Sequence, residues 1–179
     1  MTSALPPPGT ALWSAGLVGL VLGGCLLVGC LEPLVAVAVI AAGALPLGRA
    51  LLLTAAVWLA AQAAGFGLHD YPRDAQTISW GVGLGAAALL SAGAAALALR
   101  AVVAKPVWLR AGVAFIAAFV ANQVVILGVE QVVTGACAVR PGVISAVGLI
   151  NAAWLAGLLG LDAILWRAPW SAPAFGRPA

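Results

Sequence analysis

Long apolar stretches alternate with short polar turns along the whole chain. Five of these stretches reach or approach the roughly 20 residues that an α-helix needs to cross a hydrocarbon core about 30 Å thick. They are residues 11–31, 49–67, 77–99, 107–129 and 143–166. The pattern predicts an all-α fold: a polytopic bundle of transmembrane helices in a single domain over residues 11–167, packed through its many Gly and Ala residues.

A sixth apolar stretch, residues 34–46, is too short to cross a membrane easily. As a helix it would reach only about 20 Å at about 1.5 Å per residue. In one interpretation residues 34–67 form a single long helix, which gives five spans and places Arg49 in the membrane at a cost of about 2.5–3.5 kcal/mol. In the other, Pro33 starts a separate short helix and a turn at 46–49 brings Arg49 to an interface. We favour the second interpretation, with six spans.

The distribution of basic residues predicts the orientation of these six spans. With residues 1–10 and 168–179 as short cytoplasmic tails, six of the 8 Lys and Arg residues lie on the cytoplasmic side, as the positive-inside rule expects. These six are Arg49, Arg100, Lys105, Arg110, Arg167 and Arg177. The expected location is therefore a bacterial inner membrane, with both termini in the cytoplasm.

Composition supports the membrane interpretation. The chain of 179 residues is 64% hydrophobic and 7% charged, whereas soluble domains carry about 25% charged residues. A lipid bilayer is thus the expected surrounding. The net charge of +3 is spread along the chain without a basic patch, so we expect no nucleic-acid partner.

Scarce amide side chains interrupt the apolar spans at a similar depth. In the six-span arrangement they lie roughly 8–12 Å below the outer surface, counted at about 1.5 Å per residue. The favoured interpretation is that they only link helices, at about 0.6 kcal/mol each. The other is that they line, with two deep indoles, an outward-facing polar pocket; amides donate and accept, so they suit a neutral or zwitterionic solute. The residues are Gln62, Asn122, Gln123, Asn151, Trp58 and Trp154.

The polar segment GLHDYPRDAQ, residues 67–76, is predicted to form the outer loop above this pocket. His69, Asp70 and Asp74 are expected at its mouth, and Asp74 can also cap the helix that follows. A lone histidine without further ligands at normal spacing does not predict a metal site. No metal and no cofactor are therefore predicted.

Two further pairs of residues are structural candidates. Asp162, the only acid inside a predicted span, is interpreted as an ion pair with Arg167, although an intramembrane carboxylate is also a functional candidate. Cys30 and Cys137 both fall at the predicted outer face, where an oxidising compartment would allow a disulfide between them.

Three functions remain open on these observations. The first is a small permease or solute-binding membrane protein that takes a small solute from the outer side. The second is a non-catalytic subunit or assembly factor that packs against a membrane-protein partner or a second copy of itself. The third is a redox or lipid-modifying enzyme subunit that uses His69. The sequence shows no hydrolase triad, phosphate loop or paired-cysteine site, which argues against an enzyme.

Overall fold

The structure, a computed structural model, describes residues 33–133 and 140–165 together with positions 15, 16, 18, 19 and 23, and the side chains up to residue 161. Within these residues the fold is entirely helical, which confirms the predicted all-α class, whereas the count of six spans is not confirmed. Five helices are formed: α1 (Leu34–Ala44), α2 (Leu47–Leu68), α3 (Ala75–Ala101), α4 (Val107–Val132) and α5 (Pro141–Leu165). Four of them, α2 to α5, are long and apolar enough to cross a membrane by length and composition.

Helix starts follow directly from proline and aspartate in the sequence. Pro33, Pro46 and Pro106 immediately precede α1, α2 and α4, and each proline carbonyl accepts the first hydrogen bond of its helix at 3.0 Å. Proline suits this place because it has no N–H to leave unpaired and its φ is preset. At α3 the carboxylate of Asp74 accepts from the N–H of Thr77 at 2.7 Å instead.

The chain leaves the helical conformation between α1 and α2. Leu45 is extended, with φ −127° and ψ 153°, and Pro46 then starts α2. A single helix over residues 34–67, the basis of the five-span alternative, is therefore wrong. Arg49 lies exposed in the first turn of α2. The predicted span at 11–31 and both tails fall almost wholly outside the described residues.

The short helix α1 is the centre of the core. All residues from Leu34 to Ala41 are buried, with exposed fractions of 0 to 4%. A helix that is apolar on all sides must be covered on all sides, and α1 contacts all four long helices. Among the described helices, α5 touches only α1 and a short part of α4. The four long helices therefore pack around α1.

Small side chains let α3 and α4 approach each other closely. Their buried positions are mostly alanine and glycine, which lets the two backbones lie close together. The buried Ser91 hydroxyl lies 2.7 Å from the carbonyl of Ala87 in its own helix and 3.0 Å from that of Ala118 across the interface. This contact links the two helices.

Candidate functional site

A cavity lies beyond the N-terminus of α1. Helix α1 has 11 residues and spans about 16 Å, whereas its neighbours have 22 to 27 residues and span roughly 33–40 Å. The space between the long helices that α1 does not fill has a volume of about 290 Å³. Its lining residues come from all five helices and the α2–α3 loop: Leu34, Val35, Gln62, Tyr71, Thr77, Trp80, Gly81, Leu84, Asn122, Val147, Ile150 and Asn151.

Three of the four amides predicted to share a level line this one cavity: Gln62, Asn122 and Asn151. They come from three different helices, α2, α4 and α5. Their common cavity agrees with a similar level along the bundle, whereas their depth below a membrane surface stays a prediction. Whether these amides bind a solute stays a prediction, since position alone does not establish binding.

Asn151 links two helices, as one interpretation of the amides expected, although the sequence did not indicate its partner. Its Oδ1 accepts from the backbone N–H of Ala36, in the first turn of α1, at 3.1 Å. Its Nδ2 donates to the carbonyl of Val147 at 3.0 Å. The first N–H groups of a helix have no acceptor within it, and Ala36 is completely buried. Asn151 thus caps α1 from a different helix.

Asn122 is buried but has no such partner. Its exposed fraction is 7%, it lines the cavity, and its amide makes no hydrogen bond within the part of the chain that the structure describes. Most buried side-chain polar groups do have a hydrogen-bond partner. Asn122 therefore presents unused donor and acceptor capacity to the cavity.

Gln62 and Trp58 occupy the α2–α3 interface. A methyl group at Gly81 would stand 2.6 Å from Oε1 of Gln62, so this glycine makes room for the amide. Trp58 lies beside the cavity rather than in its lining: its Nε1 donates to the carbonyl of Gly81 at 2.9 Å, and its ring covers Gly85.

Trp154 and Gln123 also lie away from the cavity lining. Trp154 is partly buried and packs against the hydrophobic core. Gln123 is half-buried on α4, next to Asn122 in sequence but pointing elsewhere on the helix surface. A ligand in the cavity would therefore contact Asn122 and not Gln123. A substitution of Gln123 is thus a control for the same substitution of Asn122.

The loop between α2 and α3 contributes Tyr71 to the cavity. The N–H of Tyr71 donates to the carbonyl of Gly65 at 3.1 Å, and its ring covers Gly65, where a Cβ would come within 2.6 Å of the ring. The His69 ring stacks on the outer side of Tyr71, with centroids 6.1 Å apart. The sequence analysis did not single out Tyr71 and missed this contribution.

The three loop residues predicted at the mouth are exposed and do not line the cavity. Asp70 has a φ of 50°, a left-handed conformation that aspartate tolerates better than most residues. Asp74 caps α3, and the hydrogen bond from the backbone of Thr77 holds the pKa of its carboxyl below the ordinary value of 3.8. A role for His69, Asp70 and Asp74 at the mouth stays a prediction.

The lining residues on α3, and those on α5, are each spaced as one face of a helix, a pattern that the sequence could have revealed. On α3 the lining positions are 77, 80, 81 and 84, and on α5 they are 147, 150 and 151. Both sets follow the i, i+3, i+4 spacing of one helix face. The indole Nε1 of Trp80, in the first set, is buried and without a hydrogen-bond partner.

Several predicted residues lie outside the described part of the chain. These are Cys30, Cys137 and Arg167, and the side chain of Asp162. The proposed disulfide and the proposed ion pair therefore stay predictions. Among the described residues, no group of three or more His, Cys, Asp or Glu side chains is arranged to hold a metal ion.

The lining favours binding over acid–base chemistry. Its described members include no carboxylate, imidazole, thiol, lysine or arginine. What the lining offers are amides, an indole N–H, hydroxyl groups and the N-terminus of α1, which act by hydrogen bonding. Comparisons of the chain with protein-family models, with curated proteins and with solved structures found no match.

Proposed function

We propose that the protein is a small integral membrane protein that binds a solute in the cavity above α1 and acts as a permease or solute-binding membrane protein. The observation that supports this most directly is Asn122, an amide that is buried, faces the cavity and has no hydrogen bond among the described residues. A bound solute would supply the missing partner.

The proposed topology has six spans in a bacterial inner membrane, with both termini in the cytoplasm. Residues 11–31 form the first span, residues 34–46 with α1 form a short second, and α2 to α5 form the others. Arg49, at the start of α2, and Lys105, in the α3–α4 turn, then share the cytoplasmic side. The cavity and the α2–α3 loop face the outer side.

Cysteine labelling tests this topology. Gly48 is exposed with open space around it, so Gly48→Cys, made after the natural cysteines are replaced, should not disturb the fold. A membrane-impermeant thiol reagent should label it only from the cytoplasmic side and should label Arg73→Cys only from the outside. Labelling of position 48 from the outside would overturn the orientation.

Solute permeation tests the function. Purified protein is reconstituted in liposomes, and swelling is followed by light scattering with a panel of small polyols, amides, amino acids and carboxylates. At least one solute should enter faster than into protein-free liposomes or should bind the protein in equilibrium dialysis. Asn122→Leu should abolish this effect, whereas Gln123→Leu should retain it. A panel without any permeating or binding member would contradict the proposal.

A second function is supported by a different observation. Gly112, Gly128, Gly157 and Gly160 lie on α4 and α5, and a Cβ at any of them would meet no atom within 4 Å. Glycines with open space above them allow the backbone of another helix to approach closely. The protein would then be a non-catalytic subunit or assembly factor. Light scattering in detergent should show a stoichiometric complex that Gly157→Leu disrupts; a monomer alone would count against this alternative.

A further inference from the structure

The N-terminus of α1 borders the cavity. Leu34 and Val35, its first two residues, line the cavity, and their N–H groups have no acceptor within the helix. The N–H of Ala36, by contrast, is already bonded to Asn151. The aligned peptide dipoles give a helix N-terminus roughly half a positive elementary charge. Two backbone donors and a positive potential are therefore available to a ligand.

Side chains add donors to the same space. The amide of Asn122, at 7% exposure, faces the cavity without a hydrogen bond among the described residues. Trp80 also lines the cavity, and its indole Nε1, a fully buried donor, has no partner among the described residues. An indole nitrogen can only donate and an amide can do both. Near the N-terminus of α1, hydrogen-bond donors thus outnumber acceptors, so a ligand group that accepts hydrogen bonds fits there.

The charge of the lining residues further restricts which ligand group can bind. None of its described residues is acidic, so a cation would find no counter-charge there. A carboxylate accepts at two oxygens and offers no proton, and hydrogen bonds to an ionised acceptor are stronger than neutral ones. We propose that the cavity binds a small carboxylate-bearing solute, with the carboxylate at the N–H groups of Leu34 and Val35 and the amide of Asn122. This inference rests on the proposed solute-binding function.

The rest of the cavity sets the size and polarity of the solute. Leu84, Val147 and Ile150 provide an apolar wall. The volume of about 290 Å³ corresponds to about ten water-sized groups at roughly 30 Å³ each. A short aliphatic or hydroxylated chain of about three to six carbons therefore fits beside the carboxylate.

A matched ligand series tests the carboxylate directly. Binding of propionate, lactate, butyrate and hexanoate to the purified full-length protein is measured by equilibrium dialysis, beside the primary amide of each acid. An acid and its amide have nearly the same shape, but the amide replaces one acceptor oxygen by a donor. At least one carboxylate should bind about tenfold or more tightly than its amide. Asn122→Leu should remove most of this difference, and Gln123→Leu should leave it within about twofold of the unmodified protein.

The outcomes separate the inference from the proposed function. If an amide binds as well as its carboxylate, the carboxylate assignment is overturned while solute binding stands. If neither series binds and the polyol and amino-acid panel also fails, both are overturned. If the preference for carboxylates is found but survives in Asn122→Leu, the assigned position of the carboxylate is wrong. Should Asn122→Leu not fold, as judged by circular dichroism and a monodisperse elution profile, the comparison of acids with amides on the unmodified protein decides.

Discussion

Two buried asparagines allow a sharp test of the role of each. Asn151 and Asn122 are 2% and 7% exposed, and leucine has nearly the shape of asparagine, so Asn→Leu removes polarity while largely keeping volume. At position 151 the substitution leaves the N–H of Ala36 buried without its acceptor. At position 122 it removes an amide that has no hydrogen bond among the described residues.

The expected magnitudes follow from these contacts. An interhelical hydrogen bond in a membrane protein contributes about 0.6 kcal/mol on average and about 1.7 at most. A fully buried donor that loses its acceptor costs about 1–3 kcal/mol. Because Ala36 has 0% exposure, water cannot replace Asn151, and we expect Asn151→Leu to lower the free energy of unfolding by about 1–3 kcal/mol. Asn122→Leu should leave it unchanged or raise it.

The assay is reversible unfolding of the purified protein in mixed micelles, with increasing mole fractions of a denaturing detergent, followed by circular dichroism. The two variants and the unmodified protein are compared under the same conditions. A loss in Asn122→Leu equal to that in Asn151→Leu would refute the reasoning. So would an Asn151→Leu variant as stable as the unmodified protein, since the cap on α1 would then contribute nothing.

Two further predictions concern helix packing and helix capping. Gly85→Ala should destabilise the protein by about 1–3 kcal/mol, because its Cβ would stand 2.6 Å from the Trp58 ring. Gly93→Ala on the same helix has open space around its Cβ and should stabilise the protein by up to about 1 kcal/mol. Equal thermal shifts for the two variants would contradict this. Asp74→Ala should lower the Tm at neutral pH, because it removes the side chain that caps α3. Asp74→Asn should lower it less, because asparagine can also cap a helix. Because the bonds from Thr77 lower the folded-state pKa of Asp74 below 3.8, its charge stabilises fully above that pH. The Tm difference from Asp74→Asn should therefore vanish as the pH falls through the folded pKa, and a difference that persisted in acid would oppose the argument.

Much of the fold could be predicted because helix ends are encoded locally. Pro33, Pro46, Asp74 and Pro106 each stop one conformation and start another, and the observed helices begin and end within three residues of the predicted ones. Depth along a helix is also a local quantity, which is why Gln62, Asn122 and Asn151 could be placed at one level before the structure was known.

Rotation about the helix axes and contacts between distant helices could not be predicted in the same way. Gln123 follows Asn122 directly, yet only Asn122 faces the cavity, because successive helical residues point about 100° apart. Nothing in the sequence indicates that Asn151 meets Ala36, since the bond depends on the packing of both helices. The inward position of Tyr71 could not be predicted, because it depends on the packing of its ring against Gly65 of α2.

The bond between Ala36 and Asn151 joins positions 115 residues apart. At a synthesis rate of roughly 5–20 residues per second, the ribosome needs on the order of ten seconds after making α1 before it has made the residue that completes it. During this interval the N–H of Ala36 lacks the acceptor that Asn151 supplies. A chain that terminates before position 151 never gains this acceptor, so capping of α1 depends on the synthesis of α5.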